Sequence, residues 1–289
     1  MTPEYHDPER LDEVLALLRE YGDDAKLVAG GQSLMVMLRQ GLLSPAVLID
    51  LHRVVDLSGI GRSNGEVRLG ATTTIRTIER EPMIRAELPV LAEAAAAVGP
   101  LQVRNMGTLG GNVAHNALGA DPPPALLALD ARVTMAGPGG TRTLPLEDVL
   151  TGYFETALGP EEVLTEVTVP ALPPGAAGGY LKFATRSVDM ALVGVAVVHL
   201  REGEKVRDVR IAIGGAGPVP FRAHAAEASL RGGAWTEAAL QEAGRLAARD
   251  AAPLSDLHAS AEYRRWLVQV LVPRALARVG GAAAARTEP

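Results

Sequence analysis

The chain has 289 residues, 47% of them apolar, with 28 Lys+Arg against 34 Asp+Glu, a net charge of −6 and no cysteine. That length suits two compact domains or one large one, and an acidic balance without a dense Lys/Arg block argues against a nucleic-acid surface. Lack of cysteine excludes disulfides, thiolate zinc sites, iron–sulfur ligation and cysteine nucleophiles; the six histidines are scattered without a close pair, so no metal site is expected and any redox chemistry needs a bound organic cofactor.

In chain order, Asp7-Pro8-Glu9 reads as an N-cap, a first-turn proline and an acid favourable to the helix dipole. Leu11, Val14, Leu15 and Leu18 then repeat at helical spacing until Gly22. A short strand, 26–29, runs into Gly30-Gly31-Gln32-Ser33, and a second strand follows over 46–50. Ser63-Asn64-Gly65 is a hairpin signal before a strand over 66–69. A capped helix start over 72–80 and an Ala-rich helix over 88–98 lead to Gly107–Asn112, a loop over 113–124 and an apolar stretch over 125–133. A strand over 163–169 ends at the Pro/Gly linker 170–179, the expected domain boundary.

Three antiparallel strands are expected beyond it, at 180–185, 193–200 and 206–213, then two helices at 235–249 and 260–279. An Ala-rich tail over 282–289 is expected to be disordered. The pattern predicts an α+β protein. The longest apolar stretches, such as Ala191–Leu200, are too short to span a bilayer, and the polar start lacks a signal-peptide core. A cytoplasmic protein is therefore expected.

Two pieces carry most of the chemical information: Ala29-Gly30-Gly31-Gln32-Ser33 and Thr108-Leu109-Gly110-Gly111-Asn112. Glycines without Cβ let backbone N–H groups approach an anion closely and adopt positive φ, and Ser33, Thr108 and Asn112 add side-chain donors. Neither piece is a P-loop, which needs Gly-Lys-Ser/Thr. Neither reads as a Gly-x-Gly-x-x-Gly turn opening a helix. Two such loops fit a pyrophosphate held from both sides.

The pair resembles the FAD-binding medium subunits of the molybdenum hydroxylases, the family of carbon monoxide dehydrogenase and xanthine dehydrogenase. Leu48-Ile49-Asp50-Leu51, Gly70-Ala71-Thr72-Thr73, Gly214-Gly215, Pro220-x-Arg222-Ala223 with Glu227, and Glu262-Tyr263-Arg264-Arg265 with Arg274-Ala275-Leu276 extend the resemblance over nearly the whole chain. It implies a PCMH/VAO-like FAD-binding domain of two α/β subdomains (about 1–57 and 58–174). A C-terminal domain over 175–281 would hold a three-stranded antiparallel sheet with helices. The implied cofactor contacts are Ala29, Gly30, Gly31, Gln32, Ser33, Leu34, Thr108, Leu109, Gly110, Gly111, Asn112, Ala114, His115, Asp121, Leu164 and Lys182, with no catalytic residue and no metal ligand. Asp121 would bond the ribityl or ribose part of FAD, or cap the helix that starts near Pro122. Lys182 would stabilise the anionic reduced flavin near N1/O2, or reach water from an edge strand; Arg186 and Asp189 pair to fix a turn, and Tyr180 and Leu164 would pack near the isoalloxazine or, as suits them better, in a core. Relatives carry Asp-Pro or Ser-Pro where this chain has Ala117-Leu118, which puts the electron acceptor in question.

The resemblance further implies electron relay. A small partner with [2Fe–2S] clusters would pass electrons from a large molybdopterin partner to FAD on this chain, which would deliver them to an external acceptor within a dimer of heterotrimers. Alternatives are a self-sufficient flavin oxidoreductase of related fold, for which no catalytic Ser/Glu/Arg constellation is seen, and an assembly protein with a vestigial FAD site.

Overall fold

The computed structural model describes residues 2–284. Its first sheet is parallel, in the order β1-β3-β2, from β1 (Glu4–His6), β2 (Ala25–Val28) and β3 (Val47–Asp50). The helix Leu11–Tyr21 buries Val14 and Leu18 against it, in a core with Ile49, Val54 and Leu57. That helix begins after Arg10, not at Asp7: the Glu13 carboxylate takes the N–H groups of Glu9 and Arg10, and Asp7 pairs instead with Arg53. Gly22 ends it at φ 51°, as expected.

The second sheet is antiparallel, in the order β4-β5-β10-β6-β7. It comprises β4 (Ile60–Ser63), β5 (Glu66–Gly70), β6 (Arg132–Gly137), β7 (Gly140–Pro145) and, after a small hairpin of β8 (Leu150–Gly152) and β9 (Glu155–Thr156), β10 (Val163–Pro170). Helices Ile75–Arg80, Pro82–Glu87, Pro89–Ala97, Leu109–His115 and Pro122–Ala128 contribute to its main apolar core. The apolar stretch 125–133 thus divides into a helix end, a turn at Asp130 (φ 52°) and the start of β6.

The C-terminal sheet has four strands, not three: β11 (Ala177–Phe183), β12 (Val193–Glu202), β13 (Lys205–Gly214) and the two-residue β14 (Phe221–Arg222) in that order. Val195 and Val197 face the helices Glu237–Asp250 and Ala261–Ala284, while Ala196 and Val198 face the main core of the second sheet. Because both faces are covered, β12 reads as one apolar run instead of alternating. The final helix runs to Ala284, three residues into the tail expected to be disordered; residues 285–289 lie outside the described ones. No helix among the described residues is long and apolar enough to cross a membrane.

Arg264 locks this last helix in place. Its buried guanidinium donates to the Leu192 carbonyl at 2.6 Å, the Gly215 carbonyl at 3.1 Å and Asp256 at 2.7 Å. Burial pulls Asp256 up, but the Ala259 and His258 N–H groups and Arg264 outweigh it and hold the acid at about 2. Arg264→Met leaves buried carbonyls unsatisfied and is expected to cost about 2–4 kcal/mol. Urea unfolding would show it as a lower midpoint with an unchanged slope; an unchanged midpoint would refute the role.

Candidate functional site

The first glycine loop leaves β2 at Ala29. Gly31 sits at φ 66°, a left-handed conformation that suits glycine. Among the described residues no protein acceptor takes the N–H groups of Gly30, Gly31, Gln32, Ser33 and Leu34, five in succession. The Ser33 hydroxyl does not cap the short helix Leu34–Arg39 that follows. Consecutive free N–H groups in such a turn form an anion cradle.

The second loop packs directly against the first. A Cβ on Gly30 would overlap the Met106 carbonyl oxygen and stand 2.7 Å from the Gly107 Cα. A Cβ on Gly111 would lie 3.7 Å from the Ala29 Cβ, and one on Gly107 3.7 Å from the Gln32 side chain. The Thr108 hydroxyl accepts the Gly111 N–H at 3.2 Å and caps the helix Leu109–His115. The segment expected as a loop is therefore the first turns of a helix. Helix propensity alone disfavours it, since each glycine costs about 1 kcal/mol against alanine. Packing overrides this: Gly110 donates its N–H to the Ala71 carbonyl at 2.8 Å, and a Cβ there would stand 2.6 Å from the Ala71 Cβ. Gly110 thus serves close approach to the β5–β10 side of the sheet. Gly111 faces outward and exposed.

Ala114 and His115 continue along the same helix, half-buried. His115 stacks at a tilt on Phe154 (centroids 5.1 Å apart), and burial pushes its pKa down, which favours the neutral ring. Asn112 carries a buried amide oxygen without a donor. Asn116, in a left-handed cap (φ 44°), donates instead to the Gly152 and Glu155 carbonyls. Leu164 is buried in the main core, on β10.

Asp121 and Lys182 are brought together from 61 positions apart. Oδ2 of Asp121 accepts the Lys182 ammonium at 2.9 Å, and Oδ1 accepts the Tyr180 hydroxyl at 2.7 Å. Asp121 makes no side-chain cap to the helix Pro122–Ala128, so the capping alternative fails. Its oxygens are taken by the two β11 side chains. Nor is Lys182 a solvated edge-strand lysine: its side chain is only 10% exposed, and it also donates to the Ala97 carbonyl at 2.8 Å. Burial pushes Asp121 up to about 6 although Lys182 and Tyr180 both oppose the shift. Arg186 and Asp189 pair at 2.9 Å, as expected.

Tyr180 lies in the main core, as expected, and also anchors Asp121. Its two-residue spacing from Lys182 puts both on one face of a strand, a signal the sequence carried. Opposite Lys182 in the β11–β12 pairing stands Gly194, where a Cβ would overlap the Tyr180 hydroxyl. Gly194→Ala is expected to cost about 1–3 kcal/mol by overpacking. Thermal unfolding at pH 7 would show a lowered midpoint; no shift would mean the phenol has room to move.

These residues fit an FAD diphosphate. The cradle holds five donors that no protein acceptor among the described residues takes, and glycine permits close approach of the two loops. Among the described residues no group of three or more His, Asp or Glu is placed to hold a metal ion.

Comparison with known proteins agrees. A family described as the FAD binding domain in molybdopterin dehydrogenase matches residues 1–172, and one described as the CO dehydrogenase flavoprotein C-terminal domain matches residues 179–279. The carbon monoxide dehydrogenase medium chain of Hydrogenophaga pseudoflava is 38% identical over 273 residues, covering 94% of this chain and 95% of that one. The nicotine 6-hydroxylase medium subunit of Paenarthrobacter nicotinovorans is 37% identical, covering 96% of each. A solved structure of the Hydrogenophaga pseudoflava carbon monoxide dehydrogenase superposes with a TM-score of 0.94 at 39% identity, covering 97% of this chain and 99% of that one.

Proposed function

The chain belongs to the FAD-binding subunits of the molybdenum hydroxylase family, and from that premise we propose that it is the electron-relay subunit of a heteromeric enzyme, taking electrons from a [2Fe–2S] partner and passing them to an external acceptor. The single observation that carries the cofactor half of this reading is the run of five unpartnered N–H groups, Gly30 to Leu34, packed against Gly107–Asn112.

When bound, FAD supplies two-electron storage with one-electron exchange. This chain's residues do the rest. Backbone N–H groups of Gly30–Leu34 bind the diphosphate charge, and Gly30 lets the Met106–Gly107 backbone close against the cradle. Asn112 offers its unpaired amide oxygen to a hydroxyl of the ribose or ribityl chain, and Asp121, already accepting from Tyr180 and Lys182, would accept a further hydroxyl there on its remaining lone pairs. Lys182 offers a positive charge to the ring, which favours its anionic reduced form. Neutral His115 and the exposed ring of Phe154 (60% exposed) are placed to limit water at the helix end.

The proposal divides the chain into an FAD-binding region over 1–174, with subdomains meeting near 57, and a C-terminal domain from 175, and it keeps the cytoplasmic assignment. The partners are a small [2Fe–2S] subunit and a large molybdopterin subunit in a dimer of heterotrimers. Relatives named for carbon monoxide and for nicotine carry the same kind of chain, so the substrate is chosen in a partner. The absence of cysteine supports this division, since clusters need ligands from elsewhere.

Co-expression with the neighbouring reading frames tests it. A tagged chain is expected to bring down an iron–sulfur subunit and a molybdopterin subunit in equal amounts, with flavin that is bleached by substrate only in the complex. Flavin reduction by a substrate of the isolated chain would support a self-sufficient oxidoreductase instead.

A further inference from the structure

Behind Lys182 lies a buried polar cluster with one member that the function above leaves unused. The Tyr180 hydroxyl and the Lys182 ammonium take different oxygens of one carboxylate, Asp121. An ammonium has three donors; the Asp121 oxygen and the Ala97 carbonyl take two, and no protein acceptor among the described residues takes the third. The phenol is fixed from several sides. Gly194 leaves it room, the Tyr180 N–H donates to Glu93 at 2.8 Å, and Arg278 donates to the Tyr180 carbonyl at 2.8 Å while pairing with Glu93. Burial and then the charge of Asp121 hold the phenol well above its ordinary pKa, so it stays a donor across the working range.

We propose that Tyr180 is a positioning residue for the flavin end of the site: by occupying one oxygen of Asp121 it leaves only the other to Lys182, and so keeps the ammonium free to face the cofactor. The proposal rests on the reading that Lys182 supplies positive charge to the bound FAD. Without the phenol hydroxyl both oxygens are open to the ammonium. The carboxylate then grips it at two points and cancels more of its field, and the anionic reduced flavin is stabilised less.

The test is the flavin midpoint potential at pH 8 of the full chain loaded with FAD. The variants are Tyr180→Phe, Gly194→Ala and the double variant Lys182→Met/Asp121→Asn. Tyr180→Phe removes one oxygen; Gly194→Ala keeps the phenol but displaces its hydroxyl, and decides the matter should the first fail to fold. Either is expected to weaken binding of two-electron-reduced flavin relative to oxidised flavin about tenfold, which is about 30 mV lower in potential. The double variant is expected to fall at least as far. A fall in the double variant with no change in the single ones would overturn the role of Tyr180. An unchanged potential in the double variant would overturn the Lys182 reading beneath it, and the proposal with it.

Discussion

Gly30→Ala is expected to bind FAD about a hundredfold more weakly than the parent, a loss of about 2.7 kcal/mol. The physical cause is local. The added methyl overlaps the Met106 carbonyl oxygen and crowds the Gly107 Cα at 2.7 Å, and backbone cannot give way as a flexible side chain would. The two loops must part, and the cradle opens at the point where its donors converge. Loss of stability accompanies this, as for other overpacked contacts, by about 1–3 kcal/mol. Titrating FAD into the purified variant, with thermal unfolding alongside, separates the two effects. Parental affinity in a folded Gly30→Ala variant would show that the loops do not act together.

Lys182→Met is expected to destabilise the chain by about 3–5 kcal/mol at pH 8, because it leaves the Asp121 carboxylate, 4% exposed at the side chain, buried without its cation. The loss has a pH signature. Asp121 already titrates at about 6 in the fold, above its ordinary 3.8, because burial dominates; without Lys182 it moves higher still. A carboxyl raised in the folded state contributes stability that is fully present below its unfolded pKa and is lost as pH rises through the folded value. The deficit of Lys182→Met should therefore shrink from pH 8 toward pH 5. Adding Asp121→Asn should recover most of it. Urea unfolding of the parent and both variants at the two pH values measures this; an equal loss at both would mean that Asp121 is not the group left exposed to the cost.

Much of the architecture could be read from local chemistry. Gly22, the Asn64-Gly65 hairpin, the helix near 88–98 and the strands beyond 177 all announce themselves by turn residues and spacing. The helix Leu109–His115 did not, because Gly110-Gly111 is a loop signal by propensity and becomes a first helical turn only through the Thr108 cap and the Ala71 contact. The two-residue β14 and the short helices Leu34–Arg39, Leu101–Met106 and His224–Leu230 are likewise products of tertiary packing. The β6–β7 hairpin is different: its Gly137-Pro-Gly-Gly turn is a local signal that the sequence carries in full.

The site divides the same way. Both glycine loops stand out in the sequence as candidate anion binders, but their mutual packing does not. The ion pair of Asp121 with Lys182 joins residues matched by two different family models, and no spacing along the chain encodes it. Tyr180 takes its place only because Asp121 is there to accept a hydrogen bond from its hydroxyl, and because Gly194 leaves it space.

The most direct test of the whole account is the absorption spectrum of the purified chain after addition of FAD and removal of the excess, beside that of Gly111→Trp, which puts an indole at an exposed position beside the first loop and displaces the Thr108 hydroxyl, 2.8 Å from the added Cβ. The account predicts flavin bands that co-elute with the parent and are absent from a folded Gly111→Trp. Flavin missing from the parent, and missing also from the co-expressed complex, would contradict it.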